Sequence, residues 1–312
     1  MDRTAATGAA LRIIENLERV IVGKRFTLEL AVACLLAEGH LLLQDVPGVG
    51  KTVLARALAR SMGVTFKRIQ CTPDLLPSDI TGGPVYDPAT GALRFVPGPV
   101  FAHVVLADEL NRTTPRTQAS LLEAMDERQV SADGTTYPLP RPFFVIGTLN
   151  PVEHHGAYPL PEGQLDRFLL TASLGYLTLE QEVEMVTRQA RVHPLEDLAP
   201  VTGPDEVRAL QDAVRAVHVD RSLTEYAVRI VATTREHPAV QLGSSPRGSL
   251  GLTRAGQAWA VLAGRSYVLP DDLKRLAPAV LAHRLIMRGA PGTALARGVV
   301  EEVLGQVPVP VA

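Results

Sequence analysis

Apolar residues recur at two spacings along this chain, and the change from one to the other divides it. Over residues 5–21, Leu11, Ile14, Leu17 and Val20 stand at helical spacing, and a second apolar helix is predicted over 26–38. Short apolar runs then follow at intervals. They are Leu41, Leu42 and Leu43, then VTFKRIQ at 64–70 with Val64, Phe66 and Ile69 as buried positions, FAHVVLA at 101–107, FFVIGT at 143–148 and FLLTASL at 168–174. Between them, VLARALARSM and TQASLLEAMDER keep the helical period, the latter with Leu121, Leu122 and Met125 on one face. Strands interleaved with helices in this way predict a parallel five-stranded α/β sheet sandwiched by helices.

Two stretches break the rhythm. Residues 71–100 are too rich in Pro and Gly for a helix, and within them PVY and LRF flank Asp-Pro-Ala-Thr-Gly, a hairpin turn. VSADGTTYPL carries Asp133-Gly134, the dipeptide favoured where a tight turn needs positive φ. Hairpin inserts are therefore predicted at about 84–97 and 130–138. Past Gly175 the strand pattern fades, and helices are predicted at 178–191, 204–218, 222–236, 247–264 and 270–286. The chain divides on this pattern into an α/β domain, 1–190, and an all-helical domain, 191–312.

With 46% hydrophobic but only 4% aromatic residues, the core has to be aliphatic. A net charge of -2 gives no sequence-wide polycation for nucleic acid or anionic lipid. Cys34 and Cys71 have no metal-ligand spacing and point to a reducing compartment. No apolar run reaches membrane-spanning length and the N-terminal residues carry no signal-length apolar stretch, so a cytoplasmic location is expected.

The chemistry concentrates at strand ends. His40 to Thr52, HLLLQDVPGVGKT, reads as a strand, a Gly/Pro-rich loop and a helix opening at Lys51-Thr52. Such a loop presents backbone N–H groups and the positive end of a helix to phosphate; Lys51 adds charge for the outer phosphates and Thr52 a hard oxygen for Mg²⁺. Asp45 occupies the place where this motif usually has its first glycine, and is taken as a tolerated variation. Asp108 and Glu109 close a buried strand, where one carboxylate can hold Mg²⁺ and its neighbour can polarise water; alone, the pair is more often a helix cap beside a surface charge. Asn150 ends the next strand, where its amide can orient water or simply open an Asn-Pro turn. Arg167 suits a guanidinium supplied across a subunit boundary, or a salt bridge with Asp166 or Glu162. Arg247 opens a helix of the second domain, from which it can reach phosphates or remain a solvated first-turn Arg.

The ordered set DVPGVGKT, VVLADELNR, LLEAMDERQV, GTLNP, YPLPEGQLDRF and SSPRGSL, with GRSYVLPDDL, resembles the MoxR family of AAA+ ATPases over nearly the whole chain. The resemblance implies a P-loop AAA+ fold with a C-terminal all-helical lid. It implies that Pro47, Gly48, Val49, Gly50, Lys51, Thr52 and Val53 form Walker A, and that Asp108 and Glu109 form Walker B. Asn150 is then sensor 1, Arg167 the arginine finger and Arg247 sensor 2, with Val22 and Gly23 beside the adenine and Thr52 and Asp108 on Mg²⁺. Arg112 and Arg116 are alternative fingers, and Leu149 stands where the family commonly has Gln. The implied function is an Mg²⁺-dependent ATPase in a homo-oligomeric ring, a hexamer by likeness, which remodels client proteins alongside a von Willebrand factor A domain partner. The hairpin tips, Asp87 to Gly91 and Asp133 to Thr135, are candidate client contacts with little positive charge. A metal-chelatase-like motor, a nucleic-acid or restriction-type GTPase motor and a non-hydrolysing scaffold are the rival readings.

Overall fold

The computed structural model describes residues 1–310 except 90, 133, 151–157, 159, 190–192, 290 and 291. The hairpin-tip positions Thr90 and Asp133 therefore lie outside the described residues. In chain order the elements begin with helices α1 (Arg3–Glu18) and α2 (Arg25–Leu36), strand β1 (Leu41–Gln44), α3 (Lys51–Ser61), β2 (Phe66–Gln70) and α4 (Pro77–Thr81). A hairpin of β3 (Gly82–Asp87) and β4 (Ala92–Pro97) follows, then β5 (Val104–Asp108), α5 (Pro115–Glu127) and a second hairpin of β6 (Gln129–Ala132) and β7 (Thr135–Pro138). β8 (Phe144–Leu149), α6 (Glu162–Leu165) and β9 (Leu170–Ala172) complete the sheet region. Beyond it lie α7 (Leu179–Gln189), α8 (Pro204–Arg215), α9 (Arg221–Glu236), β10 (Val240–Leu242), α10 (Pro246–Leu262), α11 (Pro270–Leu281), β11 (Ile286–Met287) and α12 (Thr293–Gln306).

The five predicted strands pair in parallel in the order β2-β5-β8-β1-β9. Alternation sorts their side chains onto two faces. Leu41, Leu43, Val104, Leu106, Phe144 and Ile146 join the core under α1, α2 and α3, whereas Leu42, Val105, Ala107 and Val145 join Leu121, Leu122 and Met125 of α5. Burial on both faces is what near-continuous aliphatic strands require. Gly147 sits where a Cβ would meet the Phe168 ring at 2.9 Å and Leu42 at 3.2 Å, so only glycine lets β8 pass between them.

Capping residues set the helix starts. Asp2 accepts the Ala5 N–H at 2.8 Å, Asp220 accepts that of Ser222 at 2.8 Å, and Ser245 accepts that of Arg247 at 3.1 Å, with Pro246 in the first turn of α10. α2 and α5 end differently. Glu38 (φ 56) and Arg128 (φ 52) both adopt the left-handed conformation at these ends and bind each other at 2.6 Å, with Arg215 of α8 on the other Glu38 oxygen.

Three expectations are corrected. The Pro/Gly-rich stretch before the first hairpin does hold a helix, the single turn α4, because Pro77 suits a first turn and Asp79 accepts the Leu76 N–H at 2.8 Å. The C-terminal region is helical but also carries an antiparallel ribbon of β10 and β11. The helix expected over 270–286 stops at Leu281, because Arg284 is drawn into the fold, 3% exposed, by Asp166 and the Phe168 carbonyl at 2.8 and 2.7 Å. The chain then turns into β11 and adds α12, which periodicity did not signal. Among the described residues no helix is long and apolar enough to cross a membrane.

Candidate active site

In a parallel sheet the C-terminal ends of all strands meet along one edge, and here that edge gathers the chemistry. β8, which leads to Asn150, lies between β1, which leads into the Gly-rich loop, and β5, which ends at Asp108. Sheet order thus sets Asn150 between the loop and the paired carboxylates.

The loop turns through Gly48 (φ 83) and Gly50 (φ 99), backbone shapes that a side chain resists, and Gly50 caps α3. A Cβ on either glycine would meet nothing within 4 Å, so conformation and not crowding demands them. Lys51 Nζ donates to the carbonyls of Asp45 and Val46 at 2.8 and 3.3 Å, folding the loop over its own start. Asp45 is more than a tolerated variation. Its buried carboxylate accepts the Ser173 hydroxyl at 2.7 Å and the backbone N–H groups of Leu174 and Gly175 at 2.6 and 2.9 Å. The usual glycine has no such group; here the loop's start is bolted to the chain leaving β9.

Val22, Pro47, Gly48, Val49, Gly50 and Val53 line one cavity of about 450 Å³. Its opposite wall is Tyr176, Leu177 and the α7 residues Glu182 and Met185, which the sequence did not single out. Gly23 (φ 69) lies outside that lining and packs so closely on Gln181 that a Cβ would collide with it at 2.3 Å. The mixed apolar and polar walls suit a heteroaromatic base with phosphates running to the loop.

Asp108 and Glu109 are held by groups that the sequence did not reveal. The Thr148 hydroxyl, fully buried on β8, donates to Asp108 Oδ1 at 2.7 Å and accepts the Glu109 N–H at 2.8 Å. Glu109 itself is left-handed (φ 57, ψ 50), a conformation costing about 1–3 kcal/mol for a side-chain-bearing residue and found where structure over-determines it. Its Oε2 accepts from Gln70 at 3.0 Å and from Arg112 at 2.9 Å. Arg68 donates from Nε and Nη2 to Asp108 Oδ2, at 3.0 and 2.6 Å. Arg112 therefore pairs with Glu109 of its own chain, and Arg116 takes no part in this network.

Thr52 and Asp108 offer hard oxygens, and among the described residues no group of three or more His, Cys, Asp or Glu forms a metal cage. This donor set fits Mg²⁺, which takes one or two protein oxygens and fills the rest from phosphate and water. Burial and the nearby Asp108 and Glu109 charges push the Cys71 thiol up to about 12, so it stays neutral.

The two predicted arginines meet away from the loop. Arg167 donates to the Leu122 carbonyl at 2.7 Å and pairs at 2.9 Å with Asp126 of α5, rather than with Asp166. Arg247 reaches the same Asp126 oxygen at 3.4 Å, and both arginines line a hollow of about 270 Å³ that includes none of the loop residues. Asp166 is bound instead to Arg284 and Ser245, at 2.8 and 2.7 Å.

Residues 40–170 match the ATPase family associated with various cellular activities (AAA), and 232–303 match the AAA lid domain. The chain is 50% identical over 304 residues to the uncharacterized protein YeaC of Bacillus subtilis, covering 96% of this chain and 94% of that one. It is 42% identical over 285 residues to Chaperone MoxR1 of Mycobacterium tuberculosis, covering 88% and 75%, and 31% identical over 303 residues to Protein MoxR of Methylorubrum extorquens, covering 89% and 88%. The crystal structure of a candidate ATPase from Cytophaga hutchinsonii superposes with a TM-score of 0.90 at 35% identity, covering 99% of this chain and 97% of that one.

Proposed function

The chain belongs to the MoxR family of AAA+ ATPases, and on that premise we propose that it hydrolyses ATP with Mg²⁺ in a ring of its own copies. The observation that carries this reading is the coupling of Asp108 to Glu109 through Thr148, at the sheet edge that also carries the Gly-rich loop. The loop amides and Lys51 bind the phosphates, and the cavity lined by Val22 and Val53 takes the adenine. Thr52 and Asp108 would hold Mg²⁺, which when bound neutralises charge on the phosphates. Glu109 takes the proton of the attacking water and Asn150 orients that water.

Arg167, held on Asp126 and outside the loop's cavity, is the residue presented to a neighbouring subunit, while Arg247, on the same Asp126 at the start of α10, is the sensor that reaches the phosphates as the lid moves. A guanidinium delivered in trans stabilises charge on the transferring phosphoryl group only once the ring closes, so assembly acts as a switch. We divide the chain near residue 190 into a nucleotide-binding unit and a helical lid, whose movement on hydrolysis drives remodelling of a client protein. A von Willebrand factor A domain protein is the proposed partner, and the hairpins are the proposed client contacts. A net charge of -2 disfavours a nucleic-acid client, and two buried free thiols favour a cytoplasmic location.

The decisive experiment is Glu109→Gln with radiolabelled ATP. Retained binding and lost turnover are expected; wild-type turnover would refute the hydrolytic assignment.

A further inference from the structure

Asp108 is paired with a cation of the protein's own, Arg68. Arg68 and Gln70 alternate with buried Ile69 on β2, so both side chains leave the sheet on one face, the face that also carries Leu106 and Asp108 of β5. Strand pairing sets Gln70 opposite Asp108 and Arg68 opposite Leu106, which brings the guanidinium across to Asp108 Oδ2 through two N–H groups. Oδ1 is already committed to Thr148. Both oxygens of the carboxylate are thus engaged, one by a buried hydroxyl and one by a flexible cation whose side chain is 43% exposed. Arg68 also donates to Gln70 Oε1, and Gln70 donates to Glu109 Oε2 at 3.0 Å. An unbroken path, Asp108 to Arg68 to Gln70 to Glu109, joins the two carboxylates of the site on the side opposite Thr148.

We propose that Arg68 is a displaceable latch: it occupies the Asp108 oxygen needed by the divalent cation, so cation binding and the Arg68–Asp108 pair are mutually exclusive. The inference rests on the reading of Asp108 as a cation ligand. The guanidinium is 43% exposed over a carboxylate that is 11% exposed, so Arg68 can swing out to solvent while Asp108 and the fully buried Thr148 stay in place. Displacement removes the Nη2 donor from the reach of Asp108 and with it the anchor that aligns Gln70 on Glu109. Arrival of the cation is thereby transmitted to the base that activates water. Arg68 is a positioning residue on this account, since it acts through Asp108 and Gln70.

The test is Mn²⁺ binding, read from the electron paramagnetic resonance signal of the free ion, to full-length protein saturated with a non-hydrolysable ATP analogue. Arg68→Ala is expected to bind Mn²⁺ about fivefold more tightly than wild type, which corresponds to about 1 kcal/mol. Arg68→Lys, which keeps the charge but loses the two-pronged donor, is expected between the two. Equal or weaker binding by Arg68→Ala overturns the latch, because a residue that merely supports the fold or pre-orients Asp108 cannot strengthen cation binding by leaving. Arg68→Gln provides the same comparison if thermal melting shows the alanine variant unfolded. Asp108→Asn separates the two readings. Unchanged Mn²⁺ affinity in that variant refutes Asp108 as a ligand, whereas weakened affinity there without a gain in Arg68→Ala refutes the latch alone.

Discussion

Thr148 and Asp108 form a buried hydroxyl–carboxylate pair at 2.7 Å, and the same hydroxyl receives the amide of Glu109. One atom therefore fixes both acidic residues relative to each other. Replacing it by Thr148→Val keeps the shape but orphans a buried N–H and a carboxylate oxygen, a loss of about 1–3 kcal/mol in stability. Turnover should fall about tenfold or more with nucleotide affinity little changed, in keeping with about 1.4 kcal/mol per decade of rate. Thr148→Ser should restore most of it; full activity in the valine variant, measured by steady-state phosphate release, would remove the hydroxyl from the argument.

Asp45 invites the opposite experiment, a return to the commoner residue. Asp45→Gly strips three hydrogen-bond acceptances from the junction between the loop and the chain leaving β9. The expected outcome is a melting temperature several degrees lower and weaker ATP binding, for a destabilisation of about 2–4 kcal/mol. An unchanged melting curve would show that Ser173 and the two amides find other partners at no cost.

Trans action of Arg167 is testable by mixing. Arg167→Ala subunits retain a binding loop and lack the finger, while Lys51→Ala subunits have the reverse defect. Each alone should hydrolyse poorly, and a mixture should recover part of the wild-type rate. Absence of recovery at every ratio would return Arg167 to its local role on Leu122 and Asp126.

His40 sets a pH dependence. Its Nδ1 accepts the Val145 N–H at 3.0 Å and its Nε2 faces the Met125 carbonyl at 3.2 Å, so the neutral ring with hydrogen on Nε2 satisfies both. Burial lowers its pKa to about 4, against about 6.5 in an unfolded chain. The unfolded state thus takes up the proton first, so stability is intact above pH about 6.5 and is lost as pH falls toward 4. Urea titrations across that window should show the decline, and His40→Gln should flatten part of it; an unflattened decline would assign it to other groups.

How much of this was legible beforehand depended on whether a residue acts through its neighbours in sequence or through the fold. The five strands, both hairpins and the loop follow from local periodicity and turn chemistry, which the sheet and its two cores only reinforce. Thr148 was visible as a polar residue inside the apolar run FFVIGT, and Arg68 and Gln70 as polar residues flanking Ile69, but their partners lie on other strands. Strand register, which a single sequence does not specify, turns those polar residues into a network. The end of α11 is the same case: nothing local forbids the helix from continuing, and the tie from Arg284 to Asp166 ends it. Asp45 looked like a lapse in a motif because its three partners stand about 130 residues away.

The two hairpins, finally, are not separate appendages. Phe95 of the first stacks on Tyr137 of the second, rings 4.0 Å apart and inclined by 12°, and Phe95 also meets Phe101 edge-on at 5.8 Å. Residues more than forty positions apart thus share one ring contact. A chimaera that borrows one hairpin from a relative inherits half of an aromatic contact, and keeps the stack only if both hairpins travel as a pair.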